Sequence, residues 1–257
     1  MITRQSFSAL PLLTVPLLIA MTAAAAAAPS PASPSPASPS PASQGPASQA
    51  PTARAFPPIA DYLLPRDVEI AMARSAAPAL IADRATVKVL TKAGYEVASQ
   101  GDNGAVCLVM RGFSAPTYTP APLRDLVYDP TVHAPICFTA PAARTVLPYY
   151  ELRTRLGLAG TRPDQIAVAV EAAYARGELP ARDGATFAYM FSAHQHLGEV
   201  GAWHPHMMVF VPYADATTVG ATPFGGTLPT VTDDAGTPFA VVVIAVDEKQ
   251  FVKRPTN

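Results

Sequence analysis

The chain has 257 residues, of which 14% are charged, and a formal net charge of −1 at pH 7. Arg4 is the only charged residue before Arg54, so the rest of the chain holds seventeen cations against nineteen acidic residues. This near-neutral balance argues against nucleic acid as a partner, because proteins that bind nucleic acid usually carry a basic surface. About 200 residues follow Arg54, enough for one domain with a substantial core.

Residues 1–28 have the layout of a secretory signal peptide. Arg4 precedes an apolar run from about Ala9 to Ala28, and small residues at its end offer an A-x-A cleavage pattern in several registers. Cleavage would leave a secreted or periplasmic protein with no stable membrane span. The alternative is an uncleaved anchor, since the run is about as long as a bilayer-spanning helix. Pro11 and Pro16 weaken the run as a span.

Residues 29–56 are predicted to be a disordered Pro/Ala/Ser-rich spacer ahead of a single globular domain over residues 57–257. Up to Ala53 the spacer has no charged and no large apolar residue, so it buries too little surface to offset the entropy of ordering. Its regular prolines favour polyproline II at about 3.1 Å per residue, which is typical of a semi-rigid stalk. A stalk that faces cell-wall or envelope components is one interpretation, and a tolerated leader without a role is the other.

The first half of the domain is predicted to contain one helix and three strands. The helix begins at Pro65 and runs to about Ala76, with apolar residues at four-residue spacing. Strands are expected over 85–91, over YEVAS at 95–99, and over 105–113, with a strong turn signal at 100–104. The third strand is apolar on both faces, which indicates a central position in a sheet. Together the three strands suggest an antiparallel meander.

The middle of the chain is predicted to be a long loop followed by helices. Residues 113–138 are proline-rich, and a loop of that length inside a domain is often functional. A helix is expected from Thr139 to about Leu158, interrupted near Pro148. Thr161 is expected to cap a further helix that ends near Gly177.

Strand-like runs return at 186–192, 207–211 and 239–246. Because strands dominate both ends and helices are grouped in the middle, the pattern predicts an α+β fold. We expect a mostly antiparallel sheet of about five to six strands with helices packed on one face.

Cys107 and Cys137 are the only cysteines. In an exported protein an even count favours a disulfide, and closing a loop of about 30 residues would stabilise the fold by about 3–4 kcal/mol. Two buried thiols are the simplest alternative. A nucleophilic Cys137 paired with His133, or a zinc site from Cys107, His133 and Cys137, are further ones, although the paired C-x-x-C spacing of strong zinc sites is missing.

Four of the five histidines fall within the thirteen residues HQHLGEVGAWHPH, from His194 to His206. Residues i and i+2 of a strand share a face. His194 and His196 would therefore share one face of their strand, and His204 and His206 one face of theirs. A hairpin centred near Val200 would place His196 opposite His204 and His194 opposite His206, with Cβ atoms about 4.5–5.5 Å apart. All four imidazoles would then share one face.

That arrangement favours a site for a transition metal such as zinc or copper. The alternative is that the histidines are structural or surface residues in a polar patch beside Trp203. Glu199, at the tip, would serve as a ligand or as a general base on a bound water. Pro205 lacks a backbone donor, which favours a second strand that begins after it. If the site is an active site, the loop at 113–138 should fold over the histidines to enclose it.

Three classes of function remain open. The first is an exported domain that binds a transition metal or small ligand at the histidines. The second is an extracytoplasmic zinc-dependent hydrolase with Glu199 as general base, and metal-free acid–base catalysis by histidine is a related option. The third is a wall- or partner-binding module without catalytic chemistry. The chain contains no H-E-x-x-H, G-x-S-x-G, G-x-G-x-x-G or Walker motif that would point elsewhere.

Overall fold

A computed structural model describes residues 54–114, 125–182, 184–198, 201, 204–222, 229–231 and 235–246. The predicted signal peptide and the spacer up to residue 53 therefore lie outside the described residues. Arg54 and Phe56, assigned above to the spacer, contact the domain. Arg54 lies 3.1 Å from the Asp125 carboxylate, and the Phe56 ring packs on Phe113 and Tyr128. Both residues therefore pack on the domain.

The described residues form eight strands and five α-helices. The strands are β1 Thr86–Thr91, β2 Gly94–Ser99, β3 Val106–Met110, β4 Ala134–Phe138, β5 Thr186–Met190, β6 His206–Phe210, β7 Thr230–Val231 and β8 Val241–Ala245. The helices are α1 Arg66–Arg74, α2 Ala79–Ala82, α3 Ala140–Thr145, α4 Leu147–Leu158 and α5 Pro163–Ala175. The longest of them, α5, has 13 residues, and no helix in the described part is long and apolar enough to cross a membrane.

The strands form one sheet in the order β2-β1-β3-β4-β5-β6-β8-β7. Only β1 and β3 pair in parallel; the other neighbours are antiparallel. The predicted mixed α+β class and mostly antiparallel sheet are confirmed, but the sheet has eight strands rather than five to six.

The predicted β1–β2–β3 meander is wrong, because β3 lies beside β1 and not beside β2. The turn at 100–104 crosses the start of β1, where Asp102 N–H donates to the Arg84 carbonyl at 3.0 Å. A Cβ at Gly101 would lie 2.2 Å from the same oxygen. The glycine therefore permits the close crossing that carries the chain to the other side of β1.

Helices cover both faces of the sheet, so the prediction of helices on one face is wrong. Cys107 and Val109 of β3 pack with Ala73 of α1, whereas Leu108 and Met110 belong to the core beneath α3, α4 and α5. Successive side chains of a strand point to opposite faces, so α1, together with Ile81 of α2, lies on the face opposite to α3, α4 and α5. The double-sided apolar character of β3 reflects this burial on both sides.

The helical region follows the sequence pattern closely. The predicted break near Pro148 appears as the junction between α3 and α4. On α5, Ile166, Val170 and Ala173 are buried and follow the three- to four-residue spacing of one helix face. The predicted N-cap at Thr161 is wrong. The N-cap residue of α5 is Arg162, and its side chain makes no capping hydrogen bond.

Cys107 and Cys137 lie directly opposite each other on the antiparallel strands β3 and β4 and form the predicted disulfide. Both residues are fully buried against α1. While this bond is intact neither sulfur is a free thiolate, so a nucleophilic Cys137 and a zinc site built on both cysteines are ruled out.

Candidate functional site

The histidine stretch does not form the predicted symmetric hairpin. Strand β6 begins at His206, directly after Pro205 as expected, but His206 lies opposite Met190 on β5 and opposite Ala245 on β8. The prediction that His194 lies opposite His206 is therefore wrong, and strand β5 ends four residues before His194.

A local turn explains why β5 stops. The Gln195 side chain is buried, and its Nε2 donates to the carbonyls of Met190 at 2.6 Å and Ser192 at 3.3 Å. The His194 N–H donates to the Ser192 hydroxyl at 3.1 Å. These bonds satisfy backbone groups that would otherwise continue the ladder, and they leave the His194 side chain exposed.

His196 pairs instead with His133, the fifth histidine of the chain. Each backbone N–H donates to the other's carbonyl, at 2.8 Å and 2.9 Å, in an isolated antiparallel bridge. Residues opposed in this way have Cβ atoms about 4.5–5.5 Å apart and project their side chains to the same face. The end of the predicted 113–138 loop thus reaches the histidine stretch, although residues 115–124 of that loop lie outside the described residues.

The strands separate His196 from His206. His133 directly precedes β4 and, by alternation, shares a face with Cys137, which packs against α1. His206 shares a face with Met208, which belongs to the core beneath α3, α4 and α5. The prediction that all four imidazoles share one face is therefore wrong, because His196 and His206 lie on opposite sides of the sheet.

The hydrogen bond at His196 determines which ring nitrogen is available to a ligand. Its Nδ1 lies 3.2 Å from the Thr131 carbonyl, and a carbonyl only accepts, so Nδ1 carries the proton and Nε2 of the neutral ring keeps its lone pair. Metal-binding histidines are commonly oriented in this way. His206 has the same bond, to the His204 carbonyl at 2.8 Å, but its ring is buried and burial lowers its pKa.

The charge state of His133 follows from its surroundings. Burial, then the Arg111 guanidinium, then His196 lower the pKa of His133 to about 4, whereas Asp129 opposes the shift. Arg111 itself forms a buried ion pair with Glu69, with Nη2 and Oε2 3.0 Å apart. His133 is therefore neutral at pH 7, and the Glu69 carboxylate offsets part of the positive field of Arg111.

Asp129 and Gly198 hold the two histidines together. Oδ1 of Asp129 accepts from the backbone N–H and the hydroxyl of Thr131, at 2.8 Å and 2.7 Å. A Cβ at Gly198 would lie 2.0 Å from Oδ2 of Asp129, and the φ of Gly198 is +60°. Only glycine allows this contact with that backbone, which keeps His196 against His133.

The histidine pair supplies two nitrogen ligands. Within the described ranges, no three His, Cys, Asp or Glu side chains lie close enough together to hold a metal ion. His194 and His204 are exposed. Glu199 follows Gly198 directly and lies outside the described residues, so its predicted role stays a prediction, as does that of the four histidines as metal ligands.

A second group of chemically active side chains lies on the other face of the sheet. The Arg153 guanidinium is 5.1 Å and that of Arg182 4.9 Å from the centre of the Tyr149 ring. A desolvated cation–π contact contributes roughly 2 kcal/mol, whereas desolvating a cation costs several kcal/mol. The aromatic contacts alone therefore do not offset the free-energy cost of desolvating the two guanidinium groups.

Comparison with protein-family models, curated protein sequences and solved structures found no match. The function is therefore argued from the geometry of these side chains.

We expect the domain to lose stability as the pH falls from about 6.5 to about 4, partly through His133. In the unfolded chain this histidine takes up its proton near pH 6.5, whereas the folded environment delays protonation to about pH 4. The unfolded state therefore binds more protons in this window, so stability is complete above it and declines through it. Thermal melts over this range measure the slope.

His133→Gln is expected to flatten that slope, and His194→Gln, at an exposed position of the same stretch, is the matched control. Equal slopes for the wild type and His133→Gln would contradict the expectation. Some slope will remain in His133→Gln, because burial shifts the pKa of His206 in the same direction.

Proposed function

We propose that this protein is an exported domain that binds a transition-metal ion, zinc or copper, at the His133–His196 pair. The observation that carries the proposal is the antiparallel bridge that sets these two imidazoles side by side on one face. His196 is exposed and His133 is half-buried, so an ion can approach from solvent.

The surroundings of the two rings support metal binding. Imidazole ligates zinc and copper through a neutral ring nitrogen, and protons compete with the metal. Competition at His133 is weak, because its pKa of about 4 lies far below neutral pH. The Thr131 carbonyl orients His196 so that Nε2, with its lone pair, is the nitrogen available to ligate a metal.

Further ligands are needed, because zinc is almost always four-coordinate. Glu199 is the proposed third ligand, since it directly follows Gly198, which packs on Asp129 beside the pair. Water would complete the coordination sphere. The hydrolase interpretation with Glu199 as general base, and the wall- or partner-binding interpretation, remain predictions.

Export rests on two features. The disulfide between Cys107 and Cys137 is typical of oxidising compartments outside the cytoplasm. The first 28 residues have the composition of a signal peptide. Both favour a secreted or periplasmic site of action.

Calorimetric titration of the protein with Zn²⁺ and Cu²⁺ tests the proposal, using tag-free protein freed of metal with a chelator. We expect one site per chain, with an affinity that falls about tenfold or more in His133→Ala and in His196→Ala, because each variant removes one of the two nitrogen ligands. Glu199→Gln is expected to weaken binding without abolishing it.

His194→Ala and His204→Ala are the matched controls, since both residues are exposed and belong to the same stretch. Affinity close to that of the wild type in these controls supports the pair. Affinity lost in the controls but kept in His133→Ala would contradict the pair and favour the four-histidine cluster predicted from the sequence. Failure of the wild type to bind either ion would reject the metal-binding function.

A further inference from the structure

Two arginines project into the core beneath α3, α4 and α5, away from the histidine pair. Arg153, on α4, is only 2% exposed, and Arg182, in the connection from α5 to β5, is half-buried. Each guanidinium carbon lies about 5 Å from the centre of the Tyr149 ring, so the two cations lie at most about 10 Å apart. Arg182 also lies 5.2 Å from the centre of the Phe239 ring.

The nitrogens of these arginines are incompletely bonded. In both side chains Nε and Nη2 are buried and make no hydrogen bond of good geometry, although the Tyr174 hydroxyl is a hydrogen-bonding neighbour of Arg182. Arg153 Nη1 donates to the Tyr149 hydroxyl at 2.5 Å. Across the part of the chain that the structure describes, no carboxylate lies within 4.0 Å of either guanidinium.

Arg111 shows how this fold satisfies a buried guanidinium when the partner belongs to the chain. Its Nε donates to the Tyr62 carbonyl at 2.8 Å and its Nη1 to the Val109 carbonyl at 2.5 Å. Its Nη2 lies 3.0 Å from the Glu69 carboxylate. Arg153 and Arg182 lack such a set, so their environment differs in kind from that of a structural buried arginine.

We propose that Arg153 and Arg182 form a binding site for a small oxyanion, either a phosphate or a carboxylate group. Nε and Nη2 share one edge of the guanidinium plane, the edge that binds two oxygens of an anion in parallel. In neither arginine does this edge make a hydrogen bond of good geometry. Each one therefore presents the two donors that a bidentate oxyanion requires.

The surroundings suit a bound anion. The Tyr174 hydroxyl lies beside Arg182, whose positive charge opposes the rise in the Tyr174 pKa caused by burial. The Tyr149 and Phe239 rings exclude water from the two cations, which strengthens charge-assisted hydrogen bonds to a ligand. Because Arg182 is half-buried and Arg153 is interior, the anion would enter past Arg182.

The chain contains rival occupants for this site. Asp183 follows Arg182 directly, and Asp233 and Asp234 precede Phe239 by a few residues. All three lie outside the described residues. A carboxylate from one of them would fill the same edge of a guanidinium, so the experiment must separate an internal partner from an external ligand.

Thermal melts and calorimetric titration of the full chain with inorganic phosphate and with acetate, at ionic strength held constant with sodium chloride, test the proposal. We expect phosphate or acetate to raise the melting temperature above that in chloride. The tighter of the two ligands identifies the class as a phosphate or a carboxylate. Arg182→Gln is expected to weaken binding at least tenfold, because it removes one bidentate donor pair.

Arg176→Gln is the matched control, since Arg176 is exposed and pairs with Glu178 at 2.6 Å. Arg153→Gln is secondary, because it alters a fully buried position, and the Arg182 variant carries the test on its own. Stabilisation no greater than in chloride, or equal in the wild type and Arg182→Gln, would overturn the proposal. So would binding that appears only in Asp183→Asn or in Asp233→Asn/Asp234→Asn, since the chain itself would then supply the anion.

Discussion

Arg111→Met is expected to destabilise the domain by about 3–5 kcal/mol, the cost of leaving one member of a buried ion pair without its partner. Glu69 is 0% and Arg111 1% exposed, so water cannot replace the lost contact. Glu69 keeps one hydrogen bond, from the Leu90 N–H at 3.0 Å. The Tyr62 carbonyl loses the Arg111 donor in the same variant, whereas the Val109 carbonyl keeps the hydrogen bond from the Tyr95 hydroxyl at 2.8 Å.

The double variant Glu69→Leu/Arg111→Met separates the free-energy cost of the unpaired Glu69 carboxylate from the cost of lost packing. Removing both charges eliminates the unpaired carboxylate, so the double variant is expected to be more stable than Arg111→Met alone. Urea unfolding followed by circular dichroism measures the free energies of unfolding of Arg111→Met, Glu69→Leu and the double variant. A loss below about 1 kcal/mol in Arg111→Met, or a double variant whose loss is the sum of the single losses, would contradict this account.

Cys107→Ala/Cys137→Ala is the second change with a large expected effect. The cysteines are separated by 30 residues in sequence, and the chain-entropy model gives a stabilisation of about 3–4 kcal/mol for a loop of this size. For a domain of about 200 residues this corresponds to roughly 10 °C in melting temperature. Truncating two fully buried side chains adds a packing cost in the same direction.

Reducing agent separates the covalent contribution from packing. The wild type is expected to lose stability when unfolded in the presence of dithiothreitol, whereas the double alanine variant should give the same midpoint with and without it. A wild type that is indifferent to the reductant would contradict a stabilising disulfide. The reduced wild type should also remain slightly more stable than the variant, because it keeps the buried sulfur atoms.

Much of the secondary structure was predictable from local pattern. Alternating or doubly apolar runs marked β1, β3 and β8, and proline at position 148 marked the junction between α3 and α4. The buried residues of α5 follow the three- to four-residue spacing of one helix face. These features depend on residues close in sequence, whose backbone and side-chain preferences act within a few residues.

Strand pairing was less predictable, because register depends on distant contacts. The position of β3 beside β1 depends on the close crossing at Gly101. The two-residue strand β7 lies outside the predicted strand-like runs and pairs with the edge of β8. Helices on both faces followed from the burial of β3 on both sides, a clue that sequence alone left ambiguous.

The candidate site illustrates the same division. The sequence directed attention to the stretch from His194 to His206, and His196 lies in it. In the sequence His133 stands near Cys137 rather than near the other histidines, and Asp129 belongs to no motif. Both lie more than 60 residues before His196 in sequence, and the bridge that joins His133 to His196 is a backbone contact with no local signature. The Gln195 turn, which displaces the expected register, has none either.

By itself the sequence determined the α+β class, most helix and strand positions and the pairing of its two cysteines. Each of these rests on local periodicity, on turn residues or on a count that leaves one possible pair. Tertiary structure decided the strand order, the separation of His196 from His206 and the proximity of Arg153 and Arg182 to the same aromatic ring. These depend on which distant backbone groups satisfy one another and on which side chains share a desolvated space, and a linear pattern encodes neither.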